Sequence, residues 1–201
     1  MASNITHIVL AKKALGTILN GKTIDFSKFY VGTLFPDIRK LGTISRETTH
    51  FKNPTKEKLL ALTNSFDIGM YLHSLVDHDR EQILEELGMY SVIEKTITNQ
   101  TALKLLEDEV LYNEINNWEE IASYFSTIFR EELALLPDKS ELLFWHSLNK
   151  RYLLSETNPG KMAREMNINE KYINETHTVL DELRNNSKII DLIHQMYDRI
   201  F

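Results

Sequence analysis

The feature that most constrains this chain is its shortage of turn formers, seven glycines and four prolines in 201 residues. An all-β fold needs turn residues about every 8–12 positions, so this supply is too small for one. It is also too small for flexible linkers or glycine-rich phosphate loops. What remains is helix, and the apolar spacing agrees. The scarce residues are unevenly spread: Gly32, Pro36, Gly42 and Pro54 fall within 23 residues of one another.

Apolar positions at helical spacing, with cap signals at their ends, set out the elements. Ser3 or Asn4 can cap a first helix carrying Ile5, Ile8, Val9, Leu15 and Leu19, with Gly21 ending it. A second starts after Asp25 and runs to the Pro36-Asp37 turn. Residues 38–53 keep no period and read as a loop. Lys56–Leu62 forms a short helix, and Asn64-Ser65 opens a long one stopped by Gly88. Further helices are expected over Ser91–Ile115 (with a break near Asn99), Trp118–Leu136, Ser140–Leu154, Asn169–Leu183 and Ser187–Ile200, with a break at Thr157-Asn158-Pro159-Gly160. No repeat or linker interrupts them. The expectation is one all-α globular domain over residues 1–201, of about seven to nine helices.

The bulk numbers narrow the chemistry. A net charge of −6 and the lack of long Lys/Arg runs argue against general nucleic-acid binding. The absence of cysteine removes disulfides, thiolate zinc sites and Cys nucleophiles. Lys12 and Lys13 break the first apolar stretch, so no signal peptide is read, and no window is long and apolar enough for a transmembrane segment. The expected location is cytoplasmic.

Candidate chemistry gathers in the first 80 residues. His73 and Asp77 stand four apart on a strongly helical segment, so an imidazole and a carboxylate project from one face toward a common point. Helical ligand pairs use that spacing. The same spacing recurs at His177 and Asp181 and at His194 and Asp198, where it reads as an intrahelical contact or a solvated face. What sets the first pair apart is the irregular segment before it, which carries Asp37 and His50.

The series Thr6-His7, Gly32-Thr33-Leu34-Phe35-Pro36-Asp37-Ile38, Thr49-His50-Phe51 and Gly69-x-x-x-His73-x-x-x-Asp77 resembles the zinc-dependent phospholipase C family, which is related to the S1/P1 nucleases. The resemblance covers roughly residues 5–80 and leaves the role of residues 89–201 open. It implies an all-helical phospholipase C/P1 nuclease-like fold and a phosphodiesterase chemistry. It further implies that Asp37, His50, His73 and Asp77 bind one zinc, that Asp77 bridges toward a second ion with His7, and that Asp37 orients the attacking water or takes its proton. One or two ions are implied, because the family's later histidine ligands have no counterpart here, Ile83 standing six residues after Asp77. Manganese or iron would also suit these ligands. The substrate class is a small phosphoester or a phospholipid.

Other constellations stay open. Glu107 or Asp108 could complete a second site, or could belong to an acidic solvated helix face. His50, His78 and Asp79, with Asp108 or Asp138, follow the ligand order of HD-type phosphohydrolases. Arg39, Lys40 and Arg46 could neutralise a phosphate. His146 reads as a core histidine, and Trp118, Tyr124, Phe125 and Phe129 as core aromatics. The leading expectation is a metal-dependent phosphoester hydrolase. The alternatives are an HD-type enzyme and a non-catalytic helical protein with a structural or vestigial metal site.

Overall fold

The computed structural model describes residues 2–155 and 158–201. Thirteen α-helices are found among them, and no strand. They are α1 (Asn4–Gly16), α2 (Phe26–Leu34), α3 (Arg46–Thr49), α4 (Lys56–Ala61), α5 (Ser65–Glu86), α6 (Met89–Val92) and α7 (Ile97–Leu111), then α8 (Trp118–Tyr124), α9 (Arg130–Leu135), α10 (Lys139–Leu153), α11 (Pro159–Glu165), α12 (Glu170–Arg184) and α13 (Ser187–Arg199). One apolar core threads them from Ala2 to Ile200. Among the described residues, no helix is long and apolar enough to cross a membrane.

The caps explain the boundaries. Asp25 accepts a hydrogen bond from the Lys28 amide, Asn64 from the amides of Phe66 and Asp67, and Asn169 from those of Lys171 and Tyr172. Gly88 ends the region of α5 with φ of 74°, a conformation that costs glycine little.

The count of seven to nine helices was too low, for identifiable reasons. The expected loop over 38–53 carries a 3-10 helix, Phe35–Leu41, and the short α3. The expected helix from Ser91 does break near Asn99, over residues 93–96, because Thr96 caps a fresh start at Ile97. The expected helix Trp118–Leu136 splits into α8 and α9, although neither glycine nor proline marks the break. The first helix ends at Gly16, not Gly21. Asn158 caps α11, where only a break was expected, and Thr157 lies outside the described residues.

Two contacts fix the frame around the N-terminal helices. Helices α2 and α5 cross with Gly32 against the Phe66 carbonyl and Gly69 against the backbone of Phe29 and Thr33, so close that neither position has room for a Cβ. Helix α1 is buried through its first two turns, including Thr6 and His7. Its N-terminal amides meet Asp108 on α7, which accepts from Thr6 N at 2.8 Å, Ile5 N at 3.4 Å and Thr6 Oγ1 at 2.7 Å, and from the Tyr152 hydroxyl at 2.8 Å. A carboxylate there complements the helix dipole as well as the orphan amides. Its neighbour Glu107 is fully buried and takes both Arg80 Nε, at 2.8 Å, and Arg80 Nη2, at 2.5 Å.

The Gly32–Gly69 crossing predicts a sharp contrast. Gly69→Ala forces backbone apart and should cost on the order of 3 kcal/mol, lowering Tm by about 10 °C. Gly16→Ala, with nothing within 4 Å of the added carbon, should be neutral or stabilising by up to about 1 kcal/mol. Thermal unfolding of the two variants checks this.

Candidate metal centre

The candidate centre is built by four elements brought together around the α2–α5 crossing. His73 and Asp77 lie on consecutive turns of α5 and His7 on α1. Asp37 sits in the 3-10 helix that continues α2, and His50 directly follows α3. All five side chains are buried. The structure brings together the whole set singled out in the sequence. His7, His73 and Asp77 offer ligand atoms within 4.8 Å of one another, and so do Asp37, His50 and His73.

Asp77 stands at the middle. Its Oδ1 lies 3.4 Å from His7 Nε2 and accepts the Ala2 amide at 2.7 Å. Its Oδ2 lies 3.8 Å from His50 Nε2 and 3.7 Å from His73 Nε2. The rings of His7 and His73 stack at 3.8 Å, and His50 meets His73 edge-on at 4.9 Å.

Backbone and threonine contacts aim the rings. His73 Nδ1 donates to the Thr33 carbonyl at 2.9 Å, which leaves Nε2 with a lone pair directed into the cluster. His50 Nδ1 bonds Thr49 Oγ1 at 2.9 Å, to the same end. The segment after His50 is fastened to α5 in two places, Phe51 N donating to Ser74 Oγ at 3.0 Å and Thr55 N to the Tyr71 hydroxyl at 3.0 Å. The irregular stretch therefore hangs His50 over the His73/Asp77 face. Lys40 Nζ donates to Asp37 Oδ2 at 2.5 Å, turning the other oxygen inward.

The electrostatics suit a cation. His50 Nε2, His73 Nε2, Asp37 Oδ1 and both ring nitrogens of His7 are buried and make no hydrogen bond. Buried polar atoms left so are costly, and imidazole nitrogens with carboxylate oxygens are a fitting donor set for a divalent transition ion. Burial, with Arg46 beside it, lowers the His50 pKa to about 4. Burial, with His7 against it, lowers that of His73 to about 3. Both rings are thus held neutral, the form that ligates. Burial favours the neutral acid of Asp37 and Asp77, but Lys40 and His73 outweigh it at Asp37, and His7 and His73 at Asp77; both carboxyls are held ionised, below the usual range.

The remaining candidates fall elsewhere. His78 and Asp79 pair with each other at 3.1 Å on the outer side of α5, with His78 half exposed. Asp138 caps α10. Neither Glu107 nor Asp108 is a solvated acid or a ligand: both are buried and engaged, the one by Arg80, the other by the start of α1. Arg39 and Arg46 both act on His50 through their charge, and Lys40 holds Asp37. His146 is a core histidine, with Nε2 2.6 Å from the buried Glu132. Trp118 and Phe125 are core, while Tyr124 and Phe129 are only partly covered. Lys104, unremarked in the sequence, lies on α7 within the field of Asp37 and Asp77.

An open cleft of about 630 Å³ leads to the cluster between Arg46, His50, Ser74, Asp77, His78 and Glu81. Compared with models of known protein families, with curated proteins and with solved structures, the chain matches none.

Proton linkage gives a test of the site without metal. The lowered histidine values mean that the unfolded chain takes up protons first as pH falls below about 6.5. Stability of metal-free protein should therefore drop between pH 7 and pH 5, His73 alone contributing on the order of 2 kcal/mol. The ionised aspartates extend the loss below pH 4 or so. In urea melts His73→Gln should flatten the pH 7 to 5 slope, whereas His194→Gln, at an exposed position, should leave it unchanged.

Proposed function

We propose that the protein is a metal-dependent hydrolase of phosphoesters, with zinc as its ion. The observation that carries this reading is the pair of buried ligand groups, His7 with His73 and Asp77 and Asp37 with His50 and His73, that share His73 beside an open cleft. Asp37, His50, His73 and Asp77 Oδ2 would hold one ion. His7 and Asp77 Oδ1 offer part of a second. The sequence resemblance to zinc-dependent phospholipase C supports phosphodiester chemistry.

A divalent ion, when bound, supplies an acidified water and neutralises phosphoryl charge. The chain's own residues do the rest. Neutral His50 and His73, aimed by Thr49 and the Thr33 carbonyl, keep the ligand geometry fixed. Asp37, ionised against Lys40, accepts a hydrogen bond from the attacking water and orients it. Arg46, at the mouth of the cleft, faces the phosphate oxygens of an entering substrate. Ser74 lines the cleft beside Asp77.

Elemental analysis of protein purified without added metal tests the reading, with one to two zinc per chain expected. Asp77→Asn should cut zinc affinity more than about 100-fold and abolish phosphodiesterase turnover. His78→Ala should keep activity within about twofold, as for an exposed residue off the centre. Loss of both zinc and activity in His78→Ala would favour the HD-type arrangement. Zinc-loaded protein inert toward phosphomonoesters, phosphodiesters and phospholipids would make the centre structural.

A further inference from the structure

A second cavity, of about 490 Å³, shares no lining residue with the cleft at the cluster. It lies between α7, α11 and α12, over the side of α10 that carries Trp145. Leu105, Trp145, Met162, Met166 and Ile173 make most of its wall. Two exposed large apolar side chains, Ile97 at 77% and Ile168 at 39%, belong to the same lining. Its volume falls in the range of roughly 300–1,000 Å³ typical of small-ligand sites.

The polar groups of this wall are not evenly matched. The hydroxyls of Thr101 and Tyr172 satisfy each other at 2.6 Å. Lys40 and Lys104 both line the cavity, and they lie close enough to feel each other's charge. Lys40 already holds Asp37. Lys104 makes no hydrogen bond or salt bridge among the described residues, and burial lowers its pKa, with Arg80 and Lys40 acting in the same direction. Asp77 and Asp37 act on it in the opposite sense from a distance, but this half-covered ammonium, crowded by two other cations, has no anion in direct contact. A small anion would leave the apolar wall wet, and a neutral apolar molecule would leave Lys104 unmatched. A single molecule with both parts answers both needs.

We propose that this cavity binds a medium-chain aliphatic carboxylate, its chain against Trp145, Met162, Met166 and Ile173 and its carboxylate on Lys104. The site is independent of the hydrolase reading, because it needs neither the metal cluster nor its cleft. Lys40 joins the two physically: a carboxylate that shares Lys40 loosens its grip on Asp37, so occupancy here and cation binding at the cluster are coupled, reciprocally.

Trp145 provides the readout, since Trp118, the other tryptophan, is absent from the cavity wall. Calorimetry and tryptophan quenching by 10-bromodecanoate, below its micelle concentration and on the full-length chain, test the proposal. Decanoate should compete with the brominated probe, and affinity should rise about fourfold per methylene from hexanoate to decanoate. Decanol should bind at least about tenfold more weakly. Lys104→Met should remove that preference for the carboxylate, and Ala163→Phe should weaken every chain length by partly filling the cavity. Melting curves of both variants confirm folding, and Trp118→Phe assigns the quench to Trp145. If that last variant does not fold, calorimetry of the chain-length series on wild-type protein decides. No binding up to millimolar decanoate, a flat chain-length series, equal binding of decanol, or quenching unchanged in both Lys104→Met and Ala163→Phe would each overturn the proposal. A zinc-free, inactive protein that still binds decanoate would refute the hydrolase and leave this site standing.

Discussion

Everything at the candidate centre depends on how closely α2 and α5 approach. Where Gly32 and Gly69 pass, the helices meet backbone to backbone. That approach brings the Thr33 carbonyl to His73 Nδ1, which turns the other ring nitrogen inward as a lone pair. The same crossing delivers Asp37, because the 3-10 helix that carries it grows directly from the end of α2. A few tenths of an ångström of separation would weaken the hydrogen bond that fixes the tautomer, and with it the donor set. The glycines are therefore packing residues whose effect is electrostatic.

A second constraint comes from the far side of the core. Helix α1 is buried all round at its start, which leaves its first amides unable to reach water. Asp108 resolves this, and by doing so fixes the height at which His7 stacks on His73. Arg80, one turn beyond Asp77 on α5, is pinned to Glu107, the residue next to Asp108 on α7. Two adjacent acids thus tie α1 and α5 to the same point of α7. Removing either partner of the buried Arg80–Glu107 pair would strand a charge, a loss of about 3–5 kcal/mol. Their role is registry.

These two constraints also show what the sequence could and could not reveal. The caps at Asp25, Asn64 and Asn169, and the facing of His73 and Asp77, depend on residues at most four apart and were legible. The grouping of Asp37 and His50 with them was legible through the resemblance and the clustered glycines and prolines. Glu107 and Asp108 were not, since an acidic run on a helix reads as solvated until its partners are known; those partners stand 27 and 102 residues away. The break between α8 and α9 was hidden because no glycine or proline marks it. Gly69 gave no local sign either, being a mid-helix glycine whose reason is the backbone of another helix.

The charge balance of the centre follows from the same geometry. Burial holds His50 and His73 neutral, while Asp37 and Asp77 remain ionised at the same point. Lys40 answers Asp37 from the rim, and the Ala2 amide donates to Asp77. If the imidazoles were instead protonated to balance the carboxylates, three cations would have to share a space in which two rings stack at 3.8 Å and a third lies 4.9 Å from one of them. A single divalent ion meets the same need with one charge centre, and it takes up lone pairs that protonation would only consume. Burial is the larger reason that His50 and His73 resist protonation, and the stacking of His7 on His73 adds to it at His73.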